Sequence, residues 1–279
     1  MSLPSYEFVV AILRWCGVLL AAAASALYVR TLAGPPAAAT KLKERLVGAA
    51  TVAMTIALVL RSVELGTVPL VTSLEALYFY AWLLLVVFLF LVRRAAHRTL
   101  GVFLVPLATG LAAVSAAFME PPQAVNALFR NKLFALHTVS LFLGYSALSV
   151  AFCAGVMYLL LFDEIAHKRV GRMFARLPSL DDLDRLGHRT VVLGFALLTA
   201  GIAIGMVWAR REWGVAWVWE SKSVWTLLSW LVYFGYLVTR RAAGWQGQRA
   251  AWLATLGFAL SIFTLLGSNA LLASRRHTF

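Results

Sequence analysis

Six of the ten tryptophans in this 279-residue chain fall in one stretch, WARREWGVAWVWESKSVWTLLSW, at positions 208, 213, 217, 219, 225 and 230. Indole joins a large apolar face to a single N–H donor, so tryptophan gathers at membrane–water interfaces, where one or two per helix end are ordinary. Four of the six, Trp213, Trp217, Trp219 and Trp225, crowd around Gly214 in a segment too short to fold alone. Such a set predicts a flat aromatic surface, and a large planar apolar ligand is its natural partner. The second group with chemical potential is the five histidines, His97, His137, His167, His188 and His277. Which of them can serve such a ligand depends on the elements that carry them.

Those elements are read from composition and apolar runs. The chain is 62% hydrophobic and only 13% charged, which places it among polytopic membrane proteins. Eight segments of about 20 apolar residues are each long enough to cross the hydrocarbon as a helix. They lie near 6–32, 46–65, 70–92, 100–119, 133–162, 189–209, 222–240 and 249–273. The expectation is an all-α polytopic membrane helix bundle of about eight transmembrane helices. It forms one integral membrane domain over 1–279, with the tryptophan-rich loop at 210–221. The first segment reads as a retained helix and not as a removed signal peptide. Pro178 and Ser179 before an acidic run predict a separate short surface helix in the loop 163–188.

Loop charge orients this bundle. One set of loops carries fifteen basic residues and the opposite set seven, and the richer set is expected to face the cytoplasm. Both termini and the tryptophan loop then face outward, toward the periplasm of a bacterial inner membrane. The same placement accounts for the net charge of +13 through topology and lipid headgroups, which excludes a nucleic-acid partner. Cys16 and Cys153 lie inside apolar segments without a CxxC spacing, so neither thiol redox chemistry nor a cysteine metal site is indicated. No nucleophile triad, phosphate loop or acidic metal cluster is present in the sequence to indicate a hydrolase or an ATPase.

Topology also sorts the histidines. His97, His167 and His188 fall among the inner basic residues and read as solvated or headgroup-facing. His137 and His277 fall on the outer side, one turn inside the fifth helix and just after the eighth. Imidazole is a common axial ligand of haem iron, and two outward imidazoles beside an aromatic surface suit bis-histidine ligation. Equally, His137 could pack at a helix end and His277 could be a frayed terminal residue. Glu75, near the outer end of the third helix, is an ionisable group at membrane depth. It either serves the ligand site, orients a histidine, or pairs near Arg61 and Glu64 as structural glue. Lys222, Arg210 and Arg211 could meet carboxylates of a ligand or act as plain interfacial anchors.

The segment WGVAWVWESKSVW resembles the tryptophan-rich signature WGxxWxWDxKExW of the cytochrome c assembly proteins. The resemblance extends to TSLEALYFYAW, to the histidine-bearing LHTVSLFLGYSALSVAF, to LGHRTVVLGFALLTAGIAIGMVWA and to the terminal helix with its closing histidine, so that it covers about 70–279. It implies that His137 and His277 ligate haem b, held transiently on the outer face. It further implies that Trp213, Gly214, Trp217, Trp219, Glu220 and Trp225, with Glu75, form the binding surface for delivery to apocytochrome c. Glu220 stands where the family usually has Asp, and Ser223 replaces its next acidic residue. The expected role is one component of a haem–cytochrome c synthase complex, completed by a CcsB-like membrane partner with an outer domain, and not an enzyme alone. A HemX-like regulator of haem biosynthesis is the alternative. A small-molecule transporter fits less well, because midplane charged pairs and broken helices are missing from the sequence.

Overall fold

Long runs of Leu, Val, Ala and Phe, with Pro106 the one proline well inside such a run, leave helix as the form that satisfies every backbone group in lipid, and helices are what the chain makes. A computed structural model describes residues 4–33, 40–93, 95–119, 130–168, 171 and 176–275. Its elements are α1 (Pro4–Ala33), α2 (Thr40–Leu65), α3 (Ser73–Leu91), a 3-10 helix (Ala95–Leu100), α4 (Gly101–Phe118), α5 (Lys132–Ala166), α6 (Leu180–Trp213), α7 (Ser221–Ala242) and α8 (Gln248–Arg275). Among the described residues there is no strand. Among the described residues, six helices, α1 to α6, are long and apolar enough to cross a membrane by length and composition.

The chain forms two compact units, residues 1–131 and 132–279. In the first, α1 packs on α2 and α4, and α3 packs on α4 and α2. Close approach is set by Gly17, where a Cβ would meet the Met54 side chain, and by Gly101, which faces Tyr28 and Phe88. Those two rings meet edge to face at 5.5 Å. In the second unit, α5 packs chiefly on α6 and also on α8, while α7 packs on α8. α6 and α7 meet only sparsely.

α6 departs from expectation. The separate surface helix expected after Ser179 is instead the first part of α6, which runs unbroken for 34 residues. The Ser179 side chain accepts a hydrogen bond from the Asp182 N–H, and Asp181 and Asp182 lie in the first turn, where carboxylates complement the helix dipole. No proline follows to end the helix. At 1.5 Å per residue α6 spans about 51 Å, well beyond a hydrocarbon core of roughly 30 Å.

Candidate functional site

The site is built on the seam between α5 and α6. Along α6, Gly187, Val191, Gly194, Leu198, Gly201, Gly205 and Trp208 recur at alternating steps of four and three residues, the spacing of a coiled-coil seam. The facing positions on α5 run in the opposite direction. Leu148 lies against Gly194, Gly144 against Leu198, Leu141 against Gly201, and His137 against Gly205. The rings of Phe134 and Trp208 meet one step further along, with centroids 5.3 Å apart. In the four pairs before this ring contact, a large side chain on one helix faces a glycine on the other. The backbones therefore approach closely enough that a Cβ on Gly194 would lie 3.0 Å from the Gly144 carbonyl.

His137 is a knob in this seam. Its Nδ1 lies 2.7 Å from the Gly201 carbonyl oxygen. A carbonyl only accepts, so Nδ1 carries the proton and Nε2 carries the lone pair. Fixing one ring nitrogen on a backbone carbonyl is how proteins commonly orient a metal-ligating imidazole. Gly205 leaves the room: a Cβ there would sit 2.5 Å from the ring Nδ1 and Cε1. Lys222, in the first turn of α7, lies within electrostatic range of His137.

The tryptophans do not form one flat surface. α6 ends at Trp213 because Gly214 takes the left-handed conformation (φ 74°), its N–H bonding back to the Arg210 carbonyl. Trp213 folds edge to face on Trp208 at 4.7 Å, and Trp217 on Trp219 at 6.0 Å with planes 70° apart. Trp225 lies edge to face against Phe263 of α8 at 4.6 Å. The ring quadrupole favours these crossed pairs over a coplanar array. The rings are also divided between two faces of α6. Phe134, Trp208 and Trp213 continue the His137 seam. Trp217, Trp219 and Trp230 line an apolar groove of about 410 Å³ between α6 and α7, with Thr199, Ile202, Met206 and Leu227. That volume lies within the roughly 300–1,000 Å³ of small-molecule sites. Trp219 is 75% exposed at its rim.

Other expected residues fall as follows. Glu220 is the N-cap residue of α7 in extended conformation, exposed, and its side chain makes no capping bond. His277 lies outside the described residues, although the Trp225–Phe263 contact shows that α8 runs toward the tryptophan end. Glu75, in the first unit, is 3% exposed. One of its oxygens meets Arg61 at 2.7 Å and the other accepts the Val71 and Thr72 N–H groups, within a Thr72–Glu75 capping box. Arg61 also binds Glu64 at 2.8 Å. The structure thus joins Glu75 to Arg61 and Glu64, one of the alternatives open on the sequence. His167 lies at the end of α5 on the Asp163 carbonyl, and His188 is not a loop residue but stacks on Tyr236 from within α6.

At the far end of this unit, Asp184 receives both Arg240 nitrogens, at 3.0 and 2.6 Å, and the Gly247 N–H at 2.9 Å. One carboxylate thereby ties α6, the end of α7 and the turn into α8. Sequence reading missed this clamp, and it missed Gly201, Gly205, Phe134 and Trp208 as parts of the site. The recurrence of glycine every seven residues in α6, at 187, 194 and 201, followed by Gly205, is the signal that could have revealed the seam.

Comparison with known proteins bears on this arrangement. The profile of a family described as cytochrome C assembly protein matches residues 70–274. The chain is similar to a cytochrome c biogenesis protein CcsA of Guillardia theta, 34% identical over 242 residues and covering 79% of each chain. It is likewise similar to a CcsA of Parasynechococcus marenigrum, 31% identical over 84% of this chain and 85% of that one. Among solved structures, the cytochrome c heme lyase CcmF superposes with a TM-score of 0.69 at 20% identity over 93% of this chain. This chain spans 46% of the length of that one, and the likeness is one of fold.

Proposed function

The chain belongs to the cytochrome c assembly protein family, a multi-pass membrane protein with a role in cytochrome c biogenesis, and from that premise we propose that it holds haem at the tryptophan end of its second unit for delivery to apocytochrome c. In this reading all eight helices cross a bacterial inner membrane, both termini lie outside, and the tryptophan end is periplasmic. The observation that carries it is the state of His137. Its Nδ1–H is committed to the Gly201 carbonyl, so the Nε2 lone pair is the one available to iron. The donor chemistry fits an axial ligand, and His277 is the proposed second one.

When bound, haem supplies the redox-active iron and the reactive porphyrin edge, and the chain supplies the setting. Gly201 and Gly205 seat the imidazole. Trp213, Trp217, Trp219 and Trp225 offer apolar ring faces and edges, with Gly214 making the turn that presents them. Glu220 precedes α7 and Lys222 lies in its first turn within electrostatic range of His137, the lysine suited to a ligand carboxylate by charge-assisted hydrogen bonding. A membrane partner with an outer domain would bring apocytochrome c, so the chain acts as one component of a synthase complex.

The test is an absorption spectrum of the purified protein with and without reductant. A six-coordinate low-spin haem is expected. His137→Ala should shift it toward five-coordinate or empty it, with partial recovery on added imidazole, while His167→Ala and His188→Ala leave it unchanged. A wild-type spectrum in both His137→Ala and His277→Ala would place the ligands elsewhere. Independently, a reporter fused near residue 215 should read as outside, and an inside signal there removes the delivery reading.

A further inference from the structure

Trp208 is the one tryptophan of the 208–230 stretch that is buried, at 8% exposure, and its Nε1–H has no acceptor among the described residues. Trp217 in the α6–α7 groove shares this lack, whereas Trp82 donates to the Thr55 hydroxyl at 2.8 Å and Trp230 to the Thr199 hydroxyl at 2.9 Å. A buried donor left unmatched is destabilising, and in a native chain it calls for a reason. Its position suggests one. Trp208 follows Gly205 by one turn of α6, and Gly205 seats the His137 ring. Its own ring lies on Phe134, one turn from His137 on α5. The ring that crosses it on the other side is Trp213, which is half exposed and is followed directly by the left-handed Gly214. Trp213 is thus the exposed ring beside the buried Trp208 indole.

The surrounding charge points to the kind of acceptor. Among the described residues at this end of the second unit, Lys132, Arg210, Arg211 and Lys222 outnumber Glu212 and Glu220. An anion is favoured there, and an N–H···carboxylate bond in an apolar setting is stronger than one between neutral groups. We propose that Trp208 donates its indole N–H to a carboxylate of a tetrapyrrole ligated by His137, and so selects porphyrins that carry free peripheral carboxylates. This rests on the haem reading of the site and adds to it the chemical feature that the protein recognises.

Titration of the purified full-length chain with ferric protoporphyrin IX and with its dimethyl ester tests this. The wild type should bind the free acid at least roughly tenfold more tightly than the ester, the effect of one hydrogen bond to a charged group. Trp208→Phe keeps a ring against Phe134 and removes only the donor. It should bring free-acid affinity down to that of the ester and leave ester affinity and the low-spin spectrum as they were. Equal affinities in the wild type would leave the haem reading standing and overturn the role of Trp208. So would a free-acid preference that survives Trp208→Phe, or one lost in Trp217→Phe instead, which would move the carboxylate to the α6–α7 groove. A wild-type chain that takes up neither porphyrin overturns both this inference and the reading beneath it.

Discussion

The two ends of the second unit are built on opposite terms. At the Asp184 end, both carboxylate oxygens are engaged and the partners come from α7 and the turn before α8. At the tryptophan end, two buried indole N–H groups, Trp208 and Trp217, have no acceptor among the described residues, and Trp213 and Trp219 turn large apolar area outward. One end spends its polar groups on holding helices together. In the proposed reading the other leaves donors and ring faces to a ligand, the usual balance between a stabilising and a ligand-facing region.

This contrast can be broken or sharpened by substitution. The largest expected effect is at the clamp. Asp184→Ala leaves Arg240 in a mostly buried position without its partner and should destabilise the protein by about 3–5 kcal/mol. Thermal unfolding in detergent would register it, while the haem spectrum of the folded fraction should not change. Loss of haem at full stability would mean that the two ends do not divide the work in this way.

Gly205→Ala should have a smaller effect on stability, about 1–3 kcal/mol, the usual range for overpacking. Its added methyl would press on the His137 ring, so the haem spectrum should shift as well. Gly194→Ala is the matched control, because its Cβ would meet Leu148 at 2.7 Å and not a histidine. Comparable destabilisation with an unchanged spectrum is expected there, and equal spectra for the two variants would remove Gly205 from the site.

The smallest effect on folding is expected at Trp219, which is largely exposed. Trp219→Ala should alter stability by no more than about 0.5 kcal/mol. Haem retention should fall by roughly fivefold, the loss of about 1 kcal/mol of aromatic contact, measured as the rate of transfer to apomyoglobin. A stability loss comparable to that of Asp184→Ala would show that the loop is part of the core.

Much of this was legible without coordinates. Apolar runs gave the helical class and most helix ranges within a few residues, because length and the need to satisfy backbone groups leave few choices in lipid. The tryptophan cluster and His137 stand out by residue type alone. The start of α6 was read nine residues late, since its polar first turns lack the apolar signal although Ser179 and its following acids mark the true start.

Residue types and spacing determined the family, the helices, the crowding of indoles and the identity of a histidine with ligand chemistry. Tertiary structure alone decided that Glu75 meets Arg61, that Asp184 meets Arg240, 56 residues away, and that His137 meets the Gly201 carbonyl, 64 residues away. It also decided that the indoles divide between two faces of α6 instead of lying in one plane. The reason is register. A helix's periodicity says which residues share a face, but the glycine-lined seam between α5 and α6 sets which turn of one helix lies against which turn of the other, and only that pairing assigns a partner to each polar atom.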